Sequence, residues 1–286
     1  MITVDRQVLI QIITEEINKY LSDGRQNIGK SEEINFLNKI SHTDEEQNFP
    51  PKNGDNQALS RMKKRTSARI GVGHTGARLK TQTVLEFRAD HAKARDAVFA
   101  DVSQGLLERL GLFKVKTMCD SKNMFITRPD LGRRLSQDAE NVLRQKCVFQ
   151  PDVQIYAADG LSSTAIEANL ERILPVLIDG LNQKEISTGT PFFMEYGRVA
   201  AEDHVADILK PKVVCVLIGE RPGLTTAESL SAYIVYNAHT GIPESQRTVV
   251  SNIHKNGLAA VEAGAYIVDI IAEMLKQKKS GVELKK

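Results

Sequence analysis

Tryptophan is absent from this 286-residue chain, and aromatic residues make up only 5% of it. A surface that binds nucleic acid by base stacking needs aromatic faces, so this scarcity argues against one. Charge of one sign is missing too. The 38 Lys and Arg against 36 Asp and Glu leave a net charge of +2, too weak a field to recruit nucleic acid or an anionic membrane. Cysteine is scarce: Cys119, Cys147 and Cys215 are far apart and form no C-x-x-C pair. That pattern suits a reducing compartment, with each cysteine a small buried hydrophobe. No apolar run approaches the roughly 20 residues of a membrane span, and the first residues lack a signal-peptide core. The expectation is an intracellular protein with neither nucleic-acid nor membrane partners.

What is present is ordinary globular material, 41% hydrophobic and 26% charged, enough for one large domain or two modest ones. A tempting motif comes early. Gly71-Val72-Gly73-His74-Thr75-Gly76 fits G-x-G-x-x-G, but a dinucleotide turn needs a hydrophobic strand running in and a helix opening within it. Upstream lies the charged Ser60-Arg61-Met62-Lys63-Lys64-Arg65, and downstream comes the extended-looking Thr83-Val84-Leu85-Glu86-Phe87. The preferred reading is a glycine-rich loop packed against another surface.

Before that loop, Val4, Val8, Leu9, Ile12, Ile13, Ile17, Tyr20 and Leu21 recur at helical steps, an amphipathic stripe that Ser22-Asp23-Gly24 stops. A polar stretch with breakers at Pro50-Pro51 and Asn53-Gly54 follows to about Thr66. Residues 1–22 thus read as an amphipathic helix in search of a partner, residues 23–66 as a polar linker, and residues 67–150 as mostly helical. Within the last, Asp90 to Leu110 has a strong helical period.

Residues 151–286 alternate strand and helix. Val153 to Ala158 reads as a strand, Ser163 to Leu181 as a helix with a hydroxyl N-cap, and Glu202 to Leu209 as a short helix. Val213 to Ile218 is a β-branched run of the kind found in a strand buried on both faces. Ser231 to Asn237 reads as another strand, and Ala259 to Lys278 as a closing helix. The fold class is α/β, a Rossmann-like doubly wound sheet. Ligands bind such sheets beyond the carboxyl ends of the strands, which singles out Ala158 to Ser163 and Ile218 to Leu224. Glu220 would stand there as an acceptor for hydroxyls or amides of a large polar ligand, or else pair with a cation such as Arg221. No G-x-S-x-G elbow, H-E-x-x-H or Cys/His cluster supplies a catalytic or metal set. A pocket without catalytic residues suits a subunit that holds a cofactor for a partner.

Phe87-Arg88-Ala89-Asp90-His91-Ala92-Lys93-Ala94-Arg95-Asp96-Ala97-Val98, Arg128-Pro129-Asp130-Leu131-Gly132-Arg133, Ile218-Gly219-Glu220-Arg221-Pro222-Gly223-Leu224 and Ser251-Asn252-Ile253-His254 resemble the small subunit family of ethanolamine ammonia-lyase, over roughly residues 65 to 286. The resemblance implies an adenosylcobalamin-dependent radical conversion of ethanolamine to acetaldehyde and ammonia. It also implies a catalytic TIM-barrel large subunit in a six-plus-six complex, with this chain covering the corrinoid at the interface. Residues 67–150 would pack on the large subunit, and residues 151–286 would contact the cobalamin. The family's corrinoid contacts fall on Val199, Glu220 and Val249, with no catalytic residue in this chain. Val249 departs from the family pattern, which has cysteine at that place. No Asp-x-His-x-x-Gly pattern occurs, so the implied binding keeps the cofactor's own base on cobalt. Related enzymes are packaged in bacterial microcompartments, which would make the N-terminal helix an encapsulation tag for shell or cargo. Two rival readings remain: a nucleotide-binding oxidoreductase that uses Gly219 to Gly223 as its phosphate turn, and a structural module with an empty crevice.

Overall fold

In the computed structural model, residues 56–66 and 68–285 are described; the helix expected over residues 1–22 and most of the linker expected over residues 23–66 lie outside them, and the described end of that linker is helical at Asn56–Lys63. The chain forms two compact units, Met1–Glu86 and Phe87–Lys286. The described part of the first contains helix α1 (Asn56–Lys63) and a two-stranded hairpin, β1 (His74–Thr75) with β2 (Arg78–Leu79), paired antiparallel. The glycine motif is therefore a hairpin, turned at Gly76 with φ 62°, and no helix opens within it.

Helix α2 (Thr81–Phe99) takes in the stretch that reads as extended, and the helical period expected to run on to Leu110 is broken after Phe99. The cause of the break is local. Ser103 caps a new short helix, α3 (Gln104–Arg109), its hydroxyl accepting from the Leu106 amide, and a cap that satisfies free N–H groups competes with continuing the previous helix.

The second unit is built on one six-stranded sheet in the order β3-β5-β4-β6-β7-β8. Its strands are β3 (Phe113–Lys116), β4 (Val153–Ala158), β5 (Phe192–Glu195), β6 (Val213–Gly219), β7 (Leu230–Tyr236) and β8 (Thr248–Ile253). The short helices α4 (Lys122–Thr127) and α5 (Gln137–Lys146) precede β4, α6 (Ser163–Gln183) follows it, α7 (Ala201–Leu209) leads to β6, and α8 (Ala260–Gln277) closes the fold. Four strands, β3, β5, β4 and β6, run parallel. The last two run antiparallel, so this end of the sheet is a meander and not a further strand–helix–strand unit. The mixed α/β class stands. The edge strand β3 opens the segment Lys114 to Ile126, whose short apolar runs read as strand and loop within a stretch that is otherwise mostly helical.

Alternation along the strands divides the core in two. Ile155, Ala157, Cys215, Leu217, Ala232, Ile234 and Val250 face one side, under α6 and α8. Tyr156, Ala158, Val214, Val216 and Ile218 face the other, under α5 and α7. Every residue of β4 and β6 is buried, as their unbroken apolar runs require. On β8, Val250 and Ile253 are buried while Val249 and Ser251 are exposed, because a helix backs only one of its faces.

Candidate functional site

Two loops meet at the carboxyl ends of the parallel strands. The first follows β4, and Ser162 within it caps α6, its hydroxyl accepting from the Ala165 amide at 3.2 Å. The second follows β6. The Leu161 amide donates to the Gly219 carbonyl at 3.1 Å, and a Cβ on Gly219 would lie 2.1 Å from the Ser162 carbonyl oxygen. Glycine is the residue this close backbone approach permits. The second loop then passes into β7. No helix start follows Gly219 to Gly223, so the phosphate-turn reading loses the feature that it needs.

Glu220 stands at the end of β6 and is half-buried. Its carboxylate accepts from the Ser229 hydroxyl at 2.8 Å, from the Ser231 hydroxyl, and from the Asn252 amide at 3.3 Å. The partners are hydroxyls and an amide, and not Arg221. The amide is available because β8 bulges: Ser231 alone is opposed by Ser251 and Asn252, and Asn252 adopts φ 61°. A bulge leaves ladder groups unpaired, and the carboxylate captures one of them.

Val249 pairs with Tyr233, which in turn pairs with Val216. Directly paired residues share a face, so Val249 continues a row that is fully buried at Val216 and 45% exposed at Val249 itself. Val199 lies in the turn before α7, half-buried against the core on that same face, and its carbonyl accepts from the Glu202 amide at 3.1 Å. Glu220 and Val249 thus lie on one side of the sheet at its β7–β8 end, and Val199 packs on that same side in the turn that follows β5.

Two buried ionic groups reinforce this region, and neither is recognisable from sequence spacing. Asp159, directly after β4, pairs with Lys122 of α4 at 3.1 Å and accepts from the Gly197 amide at 3.2 Å. Burial pushes the Asp159 carboxyl up to about 6 even though Lys122 pulls it down. The Lys122 ammonium also lies 5.2 Å from the Tyr196 ring and 5.7 Å from that of Phe125. The one sequence hint was an Asp-Gly pair ending a buried strand. In the other group, the Arg247 guanidinium donates to Asp203 at 2.7 Å. Its Nε lies 2.8 Å from a Glu202 oxygen, a close charge contact that lacks hydrogen-bond alignment. Burial holds the Glu202 carboxyl well above the usual range.

The cysteines serve as small hydrophobes in the packing, with Cys147 half-buried. Cys119 and Cys215 are fully buried, and desolvation raises both thiols, with Cys147 pushed up to about 11. Among the described residues no cluster of His, Cys, Asp or Glu could hold a metal ion, and no helix is long and apolar enough to cross a membrane. A cavity of about 850 Å³ opens between β3 and α5, lined among others by Lys114, Lys116, Arg134, Glu140 and His204. Its walls carry charges of both signs, and Val199, Glu220 and Val249 are not among its lining residues.

Comparison with known proteins agrees with the sequence resemblance. Residues 56–285 match the family described as ethanolamine ammonia-lyase light chain (EutC). The chain is 54% identical over 255 residues to the ethanolamine ammonia-lyase small subunit of Clostridium tetani, covering 89% of this chain and 86% of that one. It is 50% identical over 254 residues to the same subunit from Fusobacterium nucleatum, covering 88% and 86%. With the Clostridium perfringens subunit it shares 46% identity over 280 residues, 98% of this chain and 95% of the relative.

Proposed function

Since the chain belongs to the ethanolamine ammonia-lyase light-chain family, we propose that it is the small subunit of an adenosylcobalamin-dependent enzyme converting ethanolamine to acetaldehyde and ammonia. The name of its relatives implies a large-subunit partner. In this reading the large subunit holds the substrate and the reacting groups, six copies of each subunit assemble, and the isolated small subunit releases no ammonia.

The observation that carries the reading is the face of β8 left open among the described residues, where exposed Val249 sits next to half-buried Tyr233 on the same side of the sheet as the Glu220 carboxylate. The residues fit a corrinoid. Such a ligand has an apolar macrocycle edge that exposed valine can cover, and amide side chains that need acceptors. Glu220 Oε2 accepts one hydrogen bond, and a carboxylate oxygen has room for a second. Val199, Glu220 and Val249 would hold the cofactor against the large subunit. Val249 would do so through apolar contact, since it carries no sulfur. When bound, adenosylcobalamin supplies radical chemistry from its cobalt–carbon bond, and this chain contributes binding, orientation and exclusion of water.

Glu220→Ala removes the acceptor and leaves the Asn252 amide unpaired. Cofactor binding by the assembled complex is expected to weaken by roughly 1–3 kcal/mol, the range for orphaned polar partners. Titration with adenosylcobalamin measures it, and an unchanged dissociation constant removes Glu220 from the site.

Location follows from residues 1–22, which lie outside the described residues. Their apolar stripe would dock on a microcompartment shell or cargo helix. Deleting residues 1–21 is expected to abolish co-sedimentation of a fluorescent fusion with shells while leaving lyase activity intact. Lost activity would place the helix in the catalytic assembly.

A further inference from the structure

We infer that Arg247 is a positioning residue: it ties the opening turn of α7, which follows Val199, to the start of β8, which carries Val249, and so sets the spacing of two of the corrinoid contacts. The inference rests on the functional reading above and goes further, because Arg247 need not touch the cofactor.

Strand β8 is an edge strand, paired on one side only by β7, and its ladder is interrupted by the bulge at Ser251 and Asn252. At its start β8 is tied to the C-terminal turn, where the Ser280 hydroxyl donates to the Gln246 carbonyl at 2.6 Å and the Gly281 amide to Thr248 Oγ1 at 2.9 Å, but neither bond reaches α7. Glu220 fixes the far end of the strand through the Asn252 amide. The near end enters from the short turn of Glu244–Gln246 directly into Arg247. There the Arg247 side chain, 2% exposed, reaches Asp203 at 2.7 Å and Glu202 at 2.8 Å. Both acids sit in the first turn of α7, whose N-cap, Ala200, offers no side-chain cap.

The link to Val199 is covalent and short. The Val199 carbonyl accepts from the Glu202 amide, so displacing Glu202 displaces Val199. On the other side, only Thr248 separates Arg247 from Val249. One guanidinium therefore joins both segments. An apolar side chain of similar volume could fill the space, and often stabilises a fold as well as a buried ion pair does. What the planar guanidinium adds is direction, because its hydrogen bond fixes Asp203, with Glu202 in close charge contact, relative to its own backbone.

The test titrates adenosylcobalamin, followed by its absorption change, into the assembled large–small complex carrying wild-type, Arg247→Lys or Arg247→Met small subunit. Ethanolamine KM is measured at saturating cofactor. Methionine keeps the volume and loses both contacts, and lysine keeps the charge but satisfies one acid at a time. The dissociation constant is expected to rise at least about tenfold with methionine and severalfold with lysine, while ethanolamine KM stays within about twofold. A parallel rise in both constants marks a general loss of structure and overturns the inference. Wild-type affinity in both variants overturns it too. If Arg247→Met does not assemble, the lysine variant decides. A wild-type complex that binds no corrinoid overturns the functional reading itself, and with it the role given to Arg247.

Discussion

Two strands of one sheet, β6 and β8, are separated only by β7, yet they meet different environments. Seven successive residues of β6 are buried, Val213 to Gly219, because α6 backs one face and α7 covers the other. On β8 the face toward α8 is closed by Val250 and Ile253, and the opposite face leaves Val249 and Ser251 exposed. The contrast follows from connectivity. Parallel strands need crossover helices, and these cover both faces. Among the described residues, the antiparallel meander that ends the sheet brings only α8, so one face of β8 stays open at the end of an otherwise closed core. That face can meet a partner or a ligand without any residue leaving the hydrophobic interior.

The heaviest blow to the closed part would fall on the ion pair that ends β4. Lys122→Met leaves Asp159 buried without its cation, and breaking a buried pair from one side costs about 3–5 kcal/mol. The urea midpoint of the variant chain measures it. Asp159 also imposes a pH dependence. Its folded pKa of about 6 lies above the ordinary 3.8, so the folded state binds the proton more tightly than the unfolded state. The stability it contributes is complete below pH 3.8 and is lost as pH rises through about 6. Asp159→Asn is expected to flatten the difference in midpoint between pH 4.5 and pH 7.5. An undiminished difference would assign the effect to other groups.

Next comes the seam where the two loops touch. Gly219→Ala forces a Cβ against the Ser162 and Asp159 carbonyls, 2.1 and 2.5 Å away. Both are backbone atoms, so relief requires the loops to part, at about 1–3 kcal/mol for an overpacked site. Because Glu220 is the next residue, cofactor affinity is expected to fall together with stability. A variant that loses stability yet binds cofactor normally would separate the seam from the site.

The contrast between the strands also explains what the sequence disclosed. Val213 to Ile218 and Val153 to Ala158 advertise burial on both faces through unbroken apolar runs, and their boundaries are legible to within a residue. The strand Thr248–Ile253 was not legible, since its Ser251-Asn252 bulge breaks the alternation that marks a half-buried strand. Thr83 to Phe87 looked extended because β-branched residues lower helix propensity locally, and the 19-residue helix around them overrides that preference. Glu220 was legible as the residue ending the most buried strand. Lys122, Glu202 and Arg247 were not, because each finds its partner through tertiary contact between distant segments, which no spacing records.

The smallest effect gives the sharpest comparison, because one substitution can be placed in both regions. Val216 and Val249 lie in one cross-strand row through Tyr233, and threonine has nearly the shape of valine with a hydroxyl in place of a methyl. In Val216→Thr the hydroxyl enters a site with no exposure. Unless it borrows a backbone carbonyl, it costs roughly 1–3 kcal/mol, the range for burying an unpaired hydroxyl. In Val249→Thr the same hydroxyl faces outward at 45% exposure, and threonine suits a strand as well as valine does. That cost should stay within about 0.5 kcal/mol. Urea midpoints of the two variants give the difference directly. Equal costs would mean that the β8 face is covered in the unfolding species, for instance by a partner or a second copy. A silent Val249→Thr that still weakens adenosylcobalamin binding would show that the valine is there for the ligand and not for the fold.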